Sequence, residues 1–130
     1  MIEDTSFVVD VLRGDDAALE RLDQIERTHR PEKVASITVL ELYEGIIRSS
    51  APEERTRDVL EVLDSKPVVE ADAAIMRRAG KLSGSLYNRG TPIDREDCII
   101  AATALLIDEP IVTRNTDHFE RIDDLDVRSY

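Results

Sequence analysis

The sequence predicts an α/β fold: a mainly parallel central sheet of four to five strands with helices on both faces, an α/β/α sandwich. Three observations predict it. Short apolar runs alternate along the whole chain with longer segments whose apolar residues recur at the helical period. Strands that alternate with helices must return through crossovers, which makes the sheet parallel. Three handovers from strand to helix also carry acids: Ile2-Glu3-Asp4-Thr5-Ser6, Ile37-Thr38-Val39-Leu40-Glu41 and Ile93-Asp94-Arg95-Glu96-Asp97. In a parallel sheet these handovers share one edge.

Each element follows in order. Met1 to Asp4 reads as a short first strand. Thr5 to Arg13 is a helix with Phe7, Val8, Val11 and Leu12 on one face, ended by Gly14. A second helix runs from Asp15 and Asp16 to about Thr28, with Leu19, Leu22 and Ile25 inward, and Pro31 marks a turn. Val34 to Ile37 is a strand. Thr38 to Ser50 is a helix on the period of Val39, Leu40, Tyr43, Ile46 and Ile47. Pro52 fits the first turn of a helix that runs to about Asp64. Pro67 to Val69 is a short strand, and Ala71 to Asn88 a long helix closed by Gly90. Arg95 to Asp108 is the most apolar helix and therefore the central one. Pro110 to Thr113 is a strand, Thr116 to Phe119 a turn or short helix, and Val127 to Ser129 a terminal edge strand.

The chain has 130 residues, which fits one domain over 1–130, and shows no repeat, linker or low-complexity tract. Hydrophobic residues make up 42% and aromatics only 4%, so the core must be built from Leu, Ile, Val and Ala. The net charge is −11, and the 17 basic residues are 14 Arg and 3 Lys. Dense carboxylates of this kind keep a protein hydrated in high salt, where screening removes their self-repulsion. A halophilic archaeon is the expected source. Cys98 is the only cysteine; it admits no intramolecular disulfide and lies among apolar neighbours, as a buried structural thiol would. No secretory signal opens the chain, and the apolar stretch from Cys98 to Ile107 is too short to span a membrane. A soluble cytoplasmic protein without a membrane partner is expected.

Taken singly, each acid has a structural explanation. Asp4 precedes a helix and could be its N-cap. Thr38-x-x-Glu41 is a capping-box pattern, and Asp94-x-x-Asp97 places one acid at a helix start and another in its first turn. Taken together they imply more. Two like charges about 4 Å apart repel by roughly 4 kcal/mol at an effective dielectric of 20. Carboxylates delivered to one sheet edge from three places call for a cation. Thr113-Arg114-Asn115-Thr116-Asp117 follows a strand and adds oxygens there. Hard divalent cations take such ligands, while the lack of a Cys/His cluster excludes a zinc site.

These segments resemble the motifs of PIN-domain ribonucleases. The resemblance lies in Asp4-Thr5-Ser6, in Thr38-Val39-Leu40-Glu41-Leu42-Tyr43-Glu44-Gly45, in Asp97-Cys98-Ile99-Ile100-Ala101-Ala102, and in Val112-Thr113-Arg114-Asn115 with His118-Phe119. It runs from residue 2 to about 122 and is nearest to VapC-type toxins of toxin–antitoxin pairs. It implies that Asp4, Glu41 and Asp97 are catalytic and hold Mg²⁺ or Mn²⁺. It puts Asn115 at the fourth acidic position, with Asp117 as the alternative source of that charge. It makes Thr5 or Ser6 the hydroxyl beside the first acid. Asp94 and Thr113 are expected near the ligands, and Arg95 and Arg114 against RNA phosphates. It also implies an RNA substrate, a cognate antitoxin and a homodimer, for which Tyr43, Ile46, Ile47 and Leu60 offer apolar positions. The alternatives are a PIN-domain nuclease in RNA processing or decay outside a toxin pair, and a non-catalytic interaction domain. A phospho-receiver domain is excluded by the lack of any Lys after Lys81.

Overall fold

Two-residue strands cannot hold a sheet alone, so helices enclose it. The computed structural model describes residues 1–130. In chain order it contains β1 (Ile2–Glu3), α1 (Thr5–Leu12), α2 (Asp16–Arg27), β2 (Val34–Ala35), α3 (Ser36–Arg48) and α4 (Pro52–Asp64). Then follow β3 (Val68–Val69), α5 (Ala73–Asn88), α6 (Arg95–Leu106), β4 (Ile111–Val112), α7 (Thr116–Phe119) and β5 (Val127–Arg128). All pairings are parallel, as expected: β1 with β4, β4 with β5, and β2 with β3. A parallel bridge between Ile2 and Lys33 joins the two ladders. There Glu3 N–H donates to the Lys33 carbonyl at 2.8 Å and Lys33 N–H to the Met1 carbonyl at 3.0 Å. The spatial order is thus β3-β2-β1-β4-β5. The chain winds outward from β1, then returns to the other side of it. That reversal opens a crevice at the carboxyl ends of β1 and β4.

Strand alternation sorts the core into two layers. Ile2, Ala35 and Ile111 face one side and pack in one cluster with α5 and α6 residues such as Ile75, Leu86 and Ile100. Val112 faces the other side with Phe7, Ala18 and Ile25. Val34 does the same with Val8, Leu42, Ile46 and Val59. The most apolar helix is central as expected: Cys98 and Ile100 through Ala104 are all buried. Its alanines let α5 lie close, and these two helices share the most extensive contact in the molecule. Gly14 and Gly90 stop α1 and α5 with a φ of +75° each, a conformation that favours glycine.

Several boundaries shift by a residue or two from the sequence reading; α5, for example, begins at Ala73 rather than Ala71, behind the Asp72 cap. The second strand ends at Ala35 rather than Ile37, and α3 begins at Ser36. The Ser36 hydroxyl accepts the Ala71 N–H at 3.0 Å, which ties the start of α3 to the chain leaving β3. The expected helix to Asp108 stops at Leu106, because Asp108 turns to a φ of +54°.

Candidate active site

Asp4 stands at the end of β1, in extended conformation, directly before α1. Its carboxylate makes no cap bond to that helix. Instead Oδ2 accepts from Ser6 Oγ at 2.6 Å and from Thr113 Oγ1 at 2.8 Å. Thr113, fully buried, comes from the end of β4, the other lip of the crevice. Asp4 is only 2% exposed, yet Oδ1 takes no hydrogen bond and is not sealed from solvent. One oxygen is anchored and the other has no hydrogen-bond partner within the protein.

Glu41 reaches this point from the second turn of α3. Its Oε1 accepts from the Thr5 hydroxyl at 2.8 Å, and Thr38 Oγ1 lies 3.0 Å from the same hydroxyl. Burial raises the Glu41 pKa; the Thr5 bond opposes this, and the charges of Asp4, Asp97 and Glu96 push it further up. Asp97 arrives on the first turn of α6, where its Oδ2 lies 3.0 Å from His118 Nδ1. Burial raises its pKa too; the His118 contact opposes this, and Asp4 and Asp94 add to the rise. The charges of Asp4 and Asp97 thus both act on Glu41, and that of Asp4 acts on Asp97.

The capping explanation fails at all three. Elsewhere in this chain acids do cap: Asp15 Oδ2 accepts from Ala18 N–H and Asp72 Oδ1 from Ile75 N–H, both at 2.9 Å. Asp4 and Asp94 hold the same backbone position but make no such bond. The expected capping box at Thr38 and Glu41 does not exist, since α3 starts two residues earlier and Thr38 lies inside it, fully buried.

The remaining candidates divide. Thr5, Ser6 and Thr113 hold the acids, as above. Asn115 is half-buried beside them; its N–H donates to Thr113 Oγ1 at 2.9 Å, and its side-chain amide makes no hydrogen bond within the protein. Asp117 is exposed on α7 without a hydrogen bond or ion pair, and it is not among the charges that shift Glu41 or Asp97. Asp94 is exposed and acts on Asp97 only through its field. Arg95 is exposed with no carboxylate in ion-pair range, so it remains open to a phosphate. Arg114 is also exposed, and its Nη1 is paired with Asp10 Oδ1 at 2.6 Å. Thr38 and Glu96, named above only as parts of their segments, also face the site, and Asp10 joins its surroundings unannounced. Only the four-residue step from Ser6 to Asp10, one helical turn, could have flagged Asp10.

No three His, Cys, Asp or Glu side chains close on a single point as a ready-made cage. The donor set nevertheless fits a hard divalent cation. Its atoms are carboxylate and amide oxygens, Asp4 keeps a free oxygen, and a cation such as Mg²⁺ holds several waters that complete its shell.

An α/β/α fold with acids gathered at the β1/β4 crevice is that of a PIN domain, and the chain belongs to the PIN domain family, which matches residues 1–125. Within that family its relatives are VapC proteins. It is 31% identical to Ribonuclease VapC19 of Mycobacterium tuberculosis over 125 residues, 94% of each chain. It is 28% identical to Ribonuclease VapC1 of Methanocaldococcus jannaschii over 130 residues, covering all of this chain and 86% of that one. It is 36% identical to the tRNA(fMet)-specific endonuclease VapC of Shigella flexneri over 90 residues, 68% of this chain and 67% of that one. Among solved structures it resembles the DNA-bound VapBC of Salmonella typhimurium, with a TM-score of 0.87, 27% identity and coverage of 98% and 96%. The VapBC2 complex of Rickettsia felis shares the fold with a TM-score of 0.90 at 22% identity, covering 99% and 97%.

Proposed function

We propose that this chain is a metal-dependent endoribonuclease and the toxin of a toxin–antitoxin pair, acting in the cytoplasm as one domain over 1–130. The observation that carries the reading is the Asp4 carboxylate, buried at a topological switch point, relieved of any capping duty and left with one open oxygen. The relatives' names are those of ribonucleases and an endonuclease, and the solved neighbours are toxin–antitoxin complexes.

Asp4, Glu41 and Asp97 would hold Mg²⁺ or Mn²⁺, with Asn115 as a fourth oxygen donor. When bound, the cation offsets phosphate charge and lowers the pKa of a water. The protein's own groups do the rest. Ser6 and Thr113 fix the Asp4 rotamer from two elements, so the open oxygen points one way. Thr5 does the same for Glu41, whose carboxylate is the candidate to take a proton from the attacking water. The water oxygen bonds to phosphorus, the bond from phosphorus to the ribose oxygen breaks, and that oxygen leaves with a proton. Arg95 is free to hold a phosphate oxygen. The partners are an RNA substrate, a cognate antitoxin and a second copy of this chain.

Asp4→Asn and Asp97→Asn are the direct test. Both are expected to abolish Mn²⁺-dependent RNA cleavage while melting no lower than wild type, since each removes a like charge from a crowded site. Cleavage at the wild-type rate by either variant sinks the assignment.

A further inference from the structure

The loop joining β4 to α7 does three things within three residues. Thr113 Oγ1 donates to Asp4 Oδ2, Arg114 N–H donates to Ser6 Oγ at 3.2 Å, and Asn115 N–H donates to Thr113 Oγ1. The loop therefore sets both hydroxyls that fix Asp4 and presents the Asn115 amide. Its anchorage to the sheet ends at Thr113, whose N–H donates to the Arg128 carbonyl at 3.0 Å. Beyond that point a side chain holds it. Arg114 Nη1 donates to Asp10 Oδ1 at 2.6 Å. Asp10 lies one turn past Ser6 on the same face of α1 and is 6% exposed. Its second oxygen accepts from the Tyr130 hydroxyl at 2.6 Å. The Tyr130 ring stands edge-on to buried Phe7, with centroids 5.0 Å apart and planes at 68°. Burial and the neighbouring Asp10 carboxylate raise the Tyr130 pKa, so the phenol stays a donor.

A buried carboxylate with both oxygens occupied cannot rotate. Remove the phenol and Asp10 loses a donor where water has little access, and its hold on Arg114 slackens. The phenol, the carboxylate and the guanidinium come from three distant parts of the chain and end on the segment that carries two of the site's oxygen donors.

We propose that Tyr130 and Asp10 are positioning residues: through the Arg114 guanidinium they fix the 113–115 segment, and with it the Asp4 rotamer and the Asn115 amide. None of the three touches the reacting atoms. The kinetic part of this inference rests on the nuclease reading; the structural part does not.

Tyr130→Phe keeps the ring against Phe7 and removes only the hydroxyl. With Mn²⁺ and a short single-stranded RNA, kcat is expected to fall on the order of tenfold while KM stays within about twofold. The amide protons of Arg114 and Asn115 should exchange on the order of tenfold faster while those of α6 keep their protection. Arg114→Gln should do the same, and Arg114→Lys should recover part of the loss. Unchanged exchange at 114 and 115 in Tyr130→Phe overturns the proposal. So does loss of protection throughout α6, which would mean general destabilisation. A raised KM with unchanged kcat also overturns it, because Arg114 would then be holding RNA. If the wild type does not cleave the RNA, the nuclease reading fails and amide exchange alone decides the positioning role.

Discussion

At the scale of single residues, the same side chain does different work depending on what already satisfies the backbone around it. Asp72 and Asp94 both precede a helix, but only Asp72 accepts from an amide of the first turn. Asp72→Ala should therefore lower stability by about 1 kcal/mol, and Asp94→Ala by far less. Chemical denaturation of the two variants checks this; equal losses would mean that Asp94 caps its helix in solution. Glu3 is the other instructive residue. It is 1% exposed, its Oε1 finds no partner, and Oε2 lies 2.8 Å from Lys66 Nζ. Desolvation outweighs the attraction of Lys66 and lifts the Glu3 pKa from 4.5 to about 7. The folded protein thus keeps a proton that the unfolded chain releases. Stability must fall as pH rises from 4.5 through about 7. Raised values at Glu41 and Asp97 act in the same direction. Glu3→Gln should flatten this slope, seen as a smaller drop in Tm between about pH 5 and about pH 8. An unaltered slope would place the titration elsewhere.

Elements show where local signals are strong and where they stop. The helices were legible because their apolar faces repeat at a fixed period and because Gly14 and Gly90 end them with backbone that glycine favours. Helix α6 was legible as the central one because its apolar residues leave no polar face, and Ile100 is indeed fully exposed to nothing but protein. Ile100→Ala should cost about 2–5 kcal/mol through lost burial and a cavity, read from denaturant midpoints. A loss under about 1 kcal/mol would mean that the layer between α6 and the sheet collapses to fill the space. The start of α3 was misread. Thr38 with Glu41 has the local form of a capping box, but the bond from Ser36 to Ala71 sets the boundary from another part of the chain. No window of sequence around residue 38 contains that partner.

For the whole molecule, the notable surface lies on α3. Leu40, Tyr43 and Ile47 are exposed together, Ile47 at 77%. Ile46, read beside them as an interface residue, is instead buried under α4 with Val59. The proposed homodimer has this surface available. Ile47→Glu should yield a monomer by sedimentation at concentrations where the wild type is a dimer, with its melting temperature as a monomer little changed. A wild type that sediments as a monomer throughout would remove the dimer. The charge of the molecule is also resolved at this scale: the acids are spread over the helices' outer faces, while the few buried ones are held by hydroxyls, Arg114 or Lys66.

Taken by itself, the sequence determined the alternation of elements, the parallel sheet, the central helix, and three acids at strand-to-helix handovers. Those follow from period and from residues whose backbone preferences act within a few neighbours. Tertiary structure alone decided which groups each acid meets. Whether Asp4 caps a helix or offers an open oxygen depends on Thr113, more than a hundred residues away; whether Arg114 is free for RNA depends on Asp10 and Tyr130. Hydrogen bonds and desolvation act through space, and the chain's order does not record which distant groups will meet.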